Sequence, residues 1–200
     1  MICVFCGSAS GRAPTYTAAA RELGQLLAKR GIGLVYGGGN VGLMGELADA
    51  VLDAGGRAIG VIPQQLVDRE IAHGGLTELH IVENLHQRKA LMAELADAFL
   101  TLPGGVGTME ELFEVWSWGR LGLHSKPCGL LNVDGYFDSL RTLTDQMVTE
   151  GFLEPEYREM LLIEEQPSVL LDRLTAHVTS RSWSAVGRPG SGDGSMSGAG

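Results

Sequence analysis

The sequence predicts an α/β fold, a mainly parallel sheet of about six or seven strands flanked by helices on both faces. Short apolar runs alternate with helical patterns along the chain, which is the signature of repeated β-α-β units. The apolar runs lack strict in-and-out alternation, so the strands are buried on both faces, as they are when helices cover a parallel sheet on each side. Two of the runs end in glycine clusters at which helical patterns begin.

The strands fall near residues 2 to 6, 32 to 36, 57 to 62, 79 to 82, 98 to 102 and 128 to 132, with a further one near 161 to 164. Their cores are runs such as Ile2-Cys3-Val4-Phe5 and Ala98-Phe99-Leu100. Helices are expected over 14 to 30, 43 to 54, 84 to 96, 108 to 119, 137 to 150 and 167 to 178. Pro14 suits a first helical position, and the Asn84 to Gln87 spacing is a capping signal. Met109, Leu112, Phe113 and Trp116 recur at i, i+3, i+4 and i+7, which marks the core stripe of their helix. Residues 63 to 78 form a long connection, and a connection of that length in a compact domain is more often functional than idle. From about Ser184 the chain turns to glycine and serine, so residues 1–182 form one domain and 183–200 a flexible tail.

Two hundred residues, 44% of them hydrophobic and 20% charged, suit a single domain with a true core. The formal charge of -9 means that an anionic ligand must be held by local positive features, which argues against nucleic acid as a partner. No apolar stretch reaches the roughly 18 residues of a membrane span, and the N-terminus lacks the cationic start of a signal peptide, so a cytoplasmic protein is expected. Cys3, Cys6 and Cys128 are too few for a disulfide framework. On a strand Cys3 and Cys6 face opposite sides, and the five histidines are scattered, so no metal site is expected.

Chemistry concentrates in residues 103 to 111, Pro-Gly-Gly-Val-Gly-Thr-Met-Glu-Glu, between a strand and a helix. Glycines let the backbone approach a ligand, and the helix start offers free N–H groups and a positive dipole end to a phosphate. Glu111 closes the motif. Thr108-x-x-Glu111 also reads as a capping box, in which the glutamate serves the helix end, and the two roles do not exclude one another. A second cluster, Tyr36-Gly37-Gly38-Gly39-Asn40-Val41-Gly42-Leu43-Met44-Gly45, fits G-x-G-x-x-G at Gly37, Gly39 and Gly42. It follows the second strand, and no acidic residue closes the next strand at Gly60-Val61-Ile62, so a nucleotide or phosphate cradle, or a structural turn, is preferred to a dinucleotide site. Arg88 and Lys89 lie early in their helix, where cations oppose the dipole at about 0.3 to 1 kcal/mol each, which suggests an anion nearby.

Taken together, these segments resemble the LOG (Lonely Guy) family of cytokinin riboside 5'-monophosphate phosphoribohydrolases. The family's PGGxGTxxE motif stands here as PGGVGTMEE, with an Arg-Lys pair upstream, and the likeness extends over most of residues 1 to 178. The resemblance implies a Rossmann-like fold and hydrolysis of a nucleoside 5'-monophosphate to free base and ribose 5-phosphate, with no cofactor. It also implies a homodimer with sites close to the subunit contact. It assigns catalysis to Arg88 and Glu111. Substrate binding would fall to Glu70, Lys89, Gly104, Gly105, Val106, Gly107, Thr108, Met109, Glu110 and Ser117, with Gly38 and Gly39 added from the second glycine cluster. Two rival classes stand beside this reading. One is a nucleotide-binding or carrier module without catalysis. The other, a pyridoxal-phosphate decarboxylase, needs a Schiff-base lysine from among Lys29, Lys89 and Lys126.

Overall fold

The structure is a computed structural model that describes residues 1–67 and 72–186. Seven strands form one sheet: β1 (Ile2–Phe5), β2 (Leu34–Tyr36), β3 (Ala58–Pro63), β4 (Glu78–Val82), β5 (Ala98–Thr101), β6 (Cys128–Leu131) and β7 (Leu161–Glu164). Their order is β4-β3-β2-β1-β5-β6-β7, and every adjacent pair is parallel. The helices are α1 (Pro14–Lys29), α2 (Gly42–Asp53), α3 (Gln64–Val67), α4 (Leu85–Leu95), α5 (Val106–Arg120), α6 (Asp138–Thr149), α7 (Pro155–Glu159) and α8 (Pro167–Val186).

The six expected strands and the further one are all present within two residues of their expected ends. The short helices α3 and α7 escaped sequence reading because one turn carries too little periodicity. Helix α8 continues to Val186, past the expected boundary at 182, and residues 187–200 of the expected tail lie outside the described residues.

Burial explains the sheet. Every residue of β1, β2, β3, β5 and β6 is buried, whereas the edge strand β4 is largely exposed. One core cluster packs α1, α2 and α8 on the first face, through Leu23, Leu27, Leu47 and Leu171 among others. The other packs α4 and α5 on the second face, through Met92, Leu112, Val115 and Trp116. Each fully buried leucine of this kind contributes about 2 kcal/mol relative to exposure. The expected stripe on α5 is core: Leu112 and Trp116 are buried, and Met109 and Phe113 pack against the same cluster. Cys3 and Cys6 fall in opposite clusters, as their strand spacing requires. All three cysteines are buried free thiols.

From β1 the chain steps outward through β2 and β3 to β4, then returns to β5 on the other side of β1. That reversal separates the loops after β1 and β5 and opens a crevice at the carboxyl ends of the strands. The two loops are stitched together there. The Gly7 N–H donates to Pro103 O at 3.1 Å, and the Leu43 N–H donates to Gly7 O at 3.0 Å. At Gly42 the backbone has φ +58°, and a Cβ would lie 2.3 Å from the Ser8 carbonyl carbon, so only glycine lets α2 start this close to the β1 loop.

Candidate active site

A cavity of about 240 Å³ lies at the crevice. Its walls include Cys6 and Ser8 after β1, Arg88 from α4, and Gly105, Thr108 and Glu111 from α5. Pockets for drug-sized ligands run to roughly 300–1,000 Å³, so this one suits a compact sugar phosphate.

The α5 end of the cavity is built for an anion. Gly105 is the N-cap, and the first intrahelical bond shown at that end runs from the Met109 N–H to Gly105 O at 3.1 Å. The amides of Val106, Gly107 and Thr108 therefore precede intrahelical pairing and carry the positive end of the helix dipole. Gly105, Val106 and Gly107 are exposed. A Cβ added at Gly105 or Gly107 would meet no heavy atom within 4 Å, and neither residue has positive φ. The fold itself makes no demand for glycine at these two positions.

This start corrects the capping-box expectation. Thr108 is the third residue of α5 rather than its N-cap, and no side chain caps the helix. Glycine at the N-cap lets the helix begin two residues before Thr108, and Glu111 lies on the cavity wall.

Arg88 faces Glu111's cavity from α4. It is 7% exposed; its Nη2 donates to Gly37 O at 3.2 Å, and its buried Nε has no partner. A buried guanidinium with an unmatched donor lacks an acceptor. A Cβ at Gly37 would sit 1.9 Å from Arg88 Nη2, so a larger residue there would push the guanidinium aside. Arg88 and Glu111 also act electrostatically on the buried thiols of Cys3 in β1 and Cys6 just after it. Burial raises the Cys3 pKa well above the ordinary thiol value, Glu111 raises it further, and Arg88 opposes. Cys6 is pushed up by the same influences in the same order, so both thiols stay neutral.

Lys89 points elsewhere. Its ammonium is paired with Glu110 and, at 2.8 Å, with Glu114 Oε2. Burial pulls its pKa down, but hydrogen bonds to the two carboxylates outweigh this and leave it raised. The anion suggested by cations early in α4 is thus, for Lys89, supplied by α5. Arg88 shares its cavity with the Glu111 carboxylate. Neither other lysine is poised for Schiff-base chemistry: Lys126 Nζ donates to Ala93 O at 2.6 Å, and Lys29 is exposed at the end of α1.

A family model described as "Possible lysine decarboxylase" matches residues 44–174. The cytokinin riboside 5'-monophosphate phosphoribohydrolase LOG7 of Arabidopsis thaliana is 52% identical over 173 residues, covering 86% of this chain and 80% of that protein. The cytokinin riboside 5'-monophosphate phosphoribohydrolase LOG3 of the same plant is 50% identical over 173 residues, with the same coverage. The chain belongs to the LOG family. In solved structures, a molybdenum cofactor binding protein from Rippkaea orientalis matches at TM-score 0.66 and 22% identity, covering 88% of this chain and 95% of that one. The molybdenum cofactor carrier protein from Chlamydomonas reinhardtii matches at TM-score 0.66 and 18% identity, covering 89% and 97%. At these identities the likeness establishes a shared Rossmann-like fold.

Of the residues the LOG resemblance singled out, the fold brings Arg88, Gly105, Val106, Gly107, Thr108 and Glu111 to one cavity. Gly104 lies just behind it, its carbonyl accepting from the Tyr136 hydroxyl at 2.5 Å. Met109 turns into the core, and Ser117 is exposed roughly 16 Å along the helix axis from Val106. Gly38 and Gly39 are not on the wall, which Gly37 supplies instead. The Gly38 carbonyl accepts from the His73 N–H at 3.0 Å, and Gly39 bridges Ala72, so these two glycines anchor the chain leading to β4. Glu70 lies outside the described residues. Met44, at the end of the second glycine cluster, and Met92, which no motif marks, also line the cavity. Tyr136 was likewise missed, because only the three-dimensional path of the loop after β6 brings it to Gly104.

Proposed function

We propose that this LOG-family protein hydrolyses the N-glycosidic bond of adenosine 5'-monophosphate derivatives, cytokinin riboside 5'-monophosphates and AMP, to free base and ribose 5-phosphate. One juxtaposition carries the proposal. Unpaired amides over Cβ-free glycines, a buried arginine with an unmatched donor and a carboxylate all line a single cavity of sugar-phosphate size.

The 5'-phosphate docks on the Val106 to Thr108 amides, and Arg88 supplies the second anion contact. Binding at this remote group holds the pentose against Glu111. As the bond between C1' and the base breaks, the electron pair leaves with the base and the sugar gains oxocarbenium character. The Glu111 carboxylate stabilises that charge and accepts a proton from the water whose oxygen bonds C1', and the departed base takes up that proton, which leaves free base, ribose 5-phosphate and an ionised Glu111. Val106, 88% exposed at the rim, gives the base an apolar surface as it lies at the mouth.

The cavity opens at the surface of one chain, and apolar Leu121 and Leu123 stand about 70% exposed at the far end of α5. These features suit the homodimer the family implies. Three buried free thiols suit a reducing cytoplasm. Among the described residues no helix is long and apolar enough to cross a membrane.

The test is incubation of the purified protein with AMP and with an N6-prenylated AMP, followed by chromatography of the products. Equimolar free base and ribose 5-phosphate are expected from at least one. Ligand-induced stabilisation without products would instead indicate a carrier.

A further inference from the structure

Lys89 is 5% exposed, carries a full charge and does not line the cavity. Its partners are Glu110 and Glu114, one turn apart on the same face of α5. Helices α4 and α5 lie on the sheet rather than tightly on each other, so this ion cluster is a direct tie between them. Adjacent residues on a helix point about 100° apart. Fixing Lys89 on α4 therefore fixes where Arg88 points, and fixing Glu110 and Glu114 on α5 fixes where Glu111 points.

We propose that Glu114 is a positioning residue. Through Lys89 it sets the rotation of α4 against α5 at which Arg88 and Glu111 meet across the cavity. The proposal rests on the reading of that cavity as a phosphoribohydrolase site. Of the two carboxylates, Glu110 takes the hydrogen bond from Lys89, and Glu114 is the more buried, its side chain 23% exposed against 54% for Glu110 and its Oε2 held to the ammonium by charge. A carboxylate with more water around it holds its partner less tightly. Lys89 is then a strut between helices, and the substrate contact that the resemblance assigns to it is not needed.

The two roles differ in what they predict. A lysine that touches the phosphate lowers KM, and its removal is not repaired by a change at Glu114. A strut affects the geometry of the reacting groups, so its loss falls on kcat. It also leaves a partly buried, unpaired carboxylate when Lys89 alone is removed, and that defect is relieved when Glu114 is neutralised as well.

The experiment measures kcat and KM for AMP in the full chain for Glu114→Gln, Lys89→Met and the double variant. Misplacement by about 1 Å costs up to about 100-fold in rate, so Glu114→Gln should lose about tenfold or more in kcat while KM moves less than about threefold. The double variant should exceed Lys89→Met in kcat by about threefold or more. Glu114→Asp, which keeps the charge but shortens the reach, should also lose kcat and serves where Glu114→Gln does not fold. A smaller loss in kcat, a loss matched by a rise in KM, or a double variant no better than Lys89→Met would each overturn the proposal. If the unaltered protein releases no base, the activity reading fails. If it does and Glu114→Gln keeps its rate, only the positioning role fails.

Discussion

Gly107→Ala should make this protein more stable and less able to bind its substrate. Gly107 is the second residue of α5, its φ is negative, and an added Cβ meets no protein atom within 4 Å. Alanine fits this backbone without strain and reduces the freedom of the unfolded chain, which stabilises by about 0.4–1 kcal/mol. For a chain of this size that raises Tm by roughly 1–4 °C. The same methyl group would stand where the phosphate approaches the helix amides. Losing one charge-assisted hydrogen bond there costs about 1.5–3 kcal/mol, which corresponds to roughly 10- to 150-fold in affinity. Thermal unfolding without ligand and calorimetric titration with AMP measure the two effects on one sample. Unchanged AMP affinity in a folded Gly107→Ala variant would refute the placement of the phosphate, and a lowered Tm would refute the claim that the fold does not need glycine there.

Four further outcomes follow from the same geometry. Gly37→Ala should fold, since its backbone is ordinary, yet moving Arg88 Nη2 from 1.9 Å to the 3.4 Å of ordinary contact displaces it by about 1.5 Å, and kcat/KM should fall about 100-fold in a steady-state assay. Glu111→Gln should keep nucleotide affinity within a few-fold while kcat drops by about 100-fold or more, whereas Arg88→Ala should damage both; normal base release by folded Glu111→Gln would remove that residue from the mechanism. Gly42→Ala, with φ +58° and a Cβ 2.3 Å from backbone, should cost about 2 kcal/mol or more in urea unfolding. The buried thiols make stability fall in alkali: Cys128 is held up to about 12 by burial, and Cys3 and Cys6 are raised too. Between the ordinary thiol value near 8.5 and the raised folded value, the unfolded chain loses protons that the folded chain keeps, so each thiol removes up to about 1.4 kcal/mol per pH unit. Unfolding free energies at pH 8 and pH 10 should differ in that direction, and a Cys128→Ala variant should show a shallower slope.

The fold was legible because burial leaves a local trace. Continuous apolar runs such as Ile2 to Phe5 and Ala98 to Thr101 identify strands covered on both faces, and Asn84 and Pro14 marked helix starts that the structure retains. The start of α5 was misread because Thr108-x-x-Glu111 satisfies a local capping pattern, while the glycine that does begin the helix has no side chain to announce it. The ion pairs of Lys89 were not legible for a related reason. A cation early in a helix says that an anion is near, but not whether it belongs to a ligand or, as with Glu110 and Glu114, to the next helix.

By itself the sequence determined the layered α/β architecture and the glycine loop at the start of α5, because periodicity and glycine content are properties of short segments, while the functional pairing of Arg88 with Glu111 came from the likeness to the LOG family. Tertiary structure alone decided that Gly37 is the clearance for Arg88, that Tyr136 reaches the Gly104 carbonyl and that Lys89 braces α4 against α5. Each of these joins residues at least 21 positions apart, and their meeting depends on the crossover that returns the chain to β5 beside β1. A side chain's role at such a meeting is set by what the other segment brings to it, and no local pattern records that.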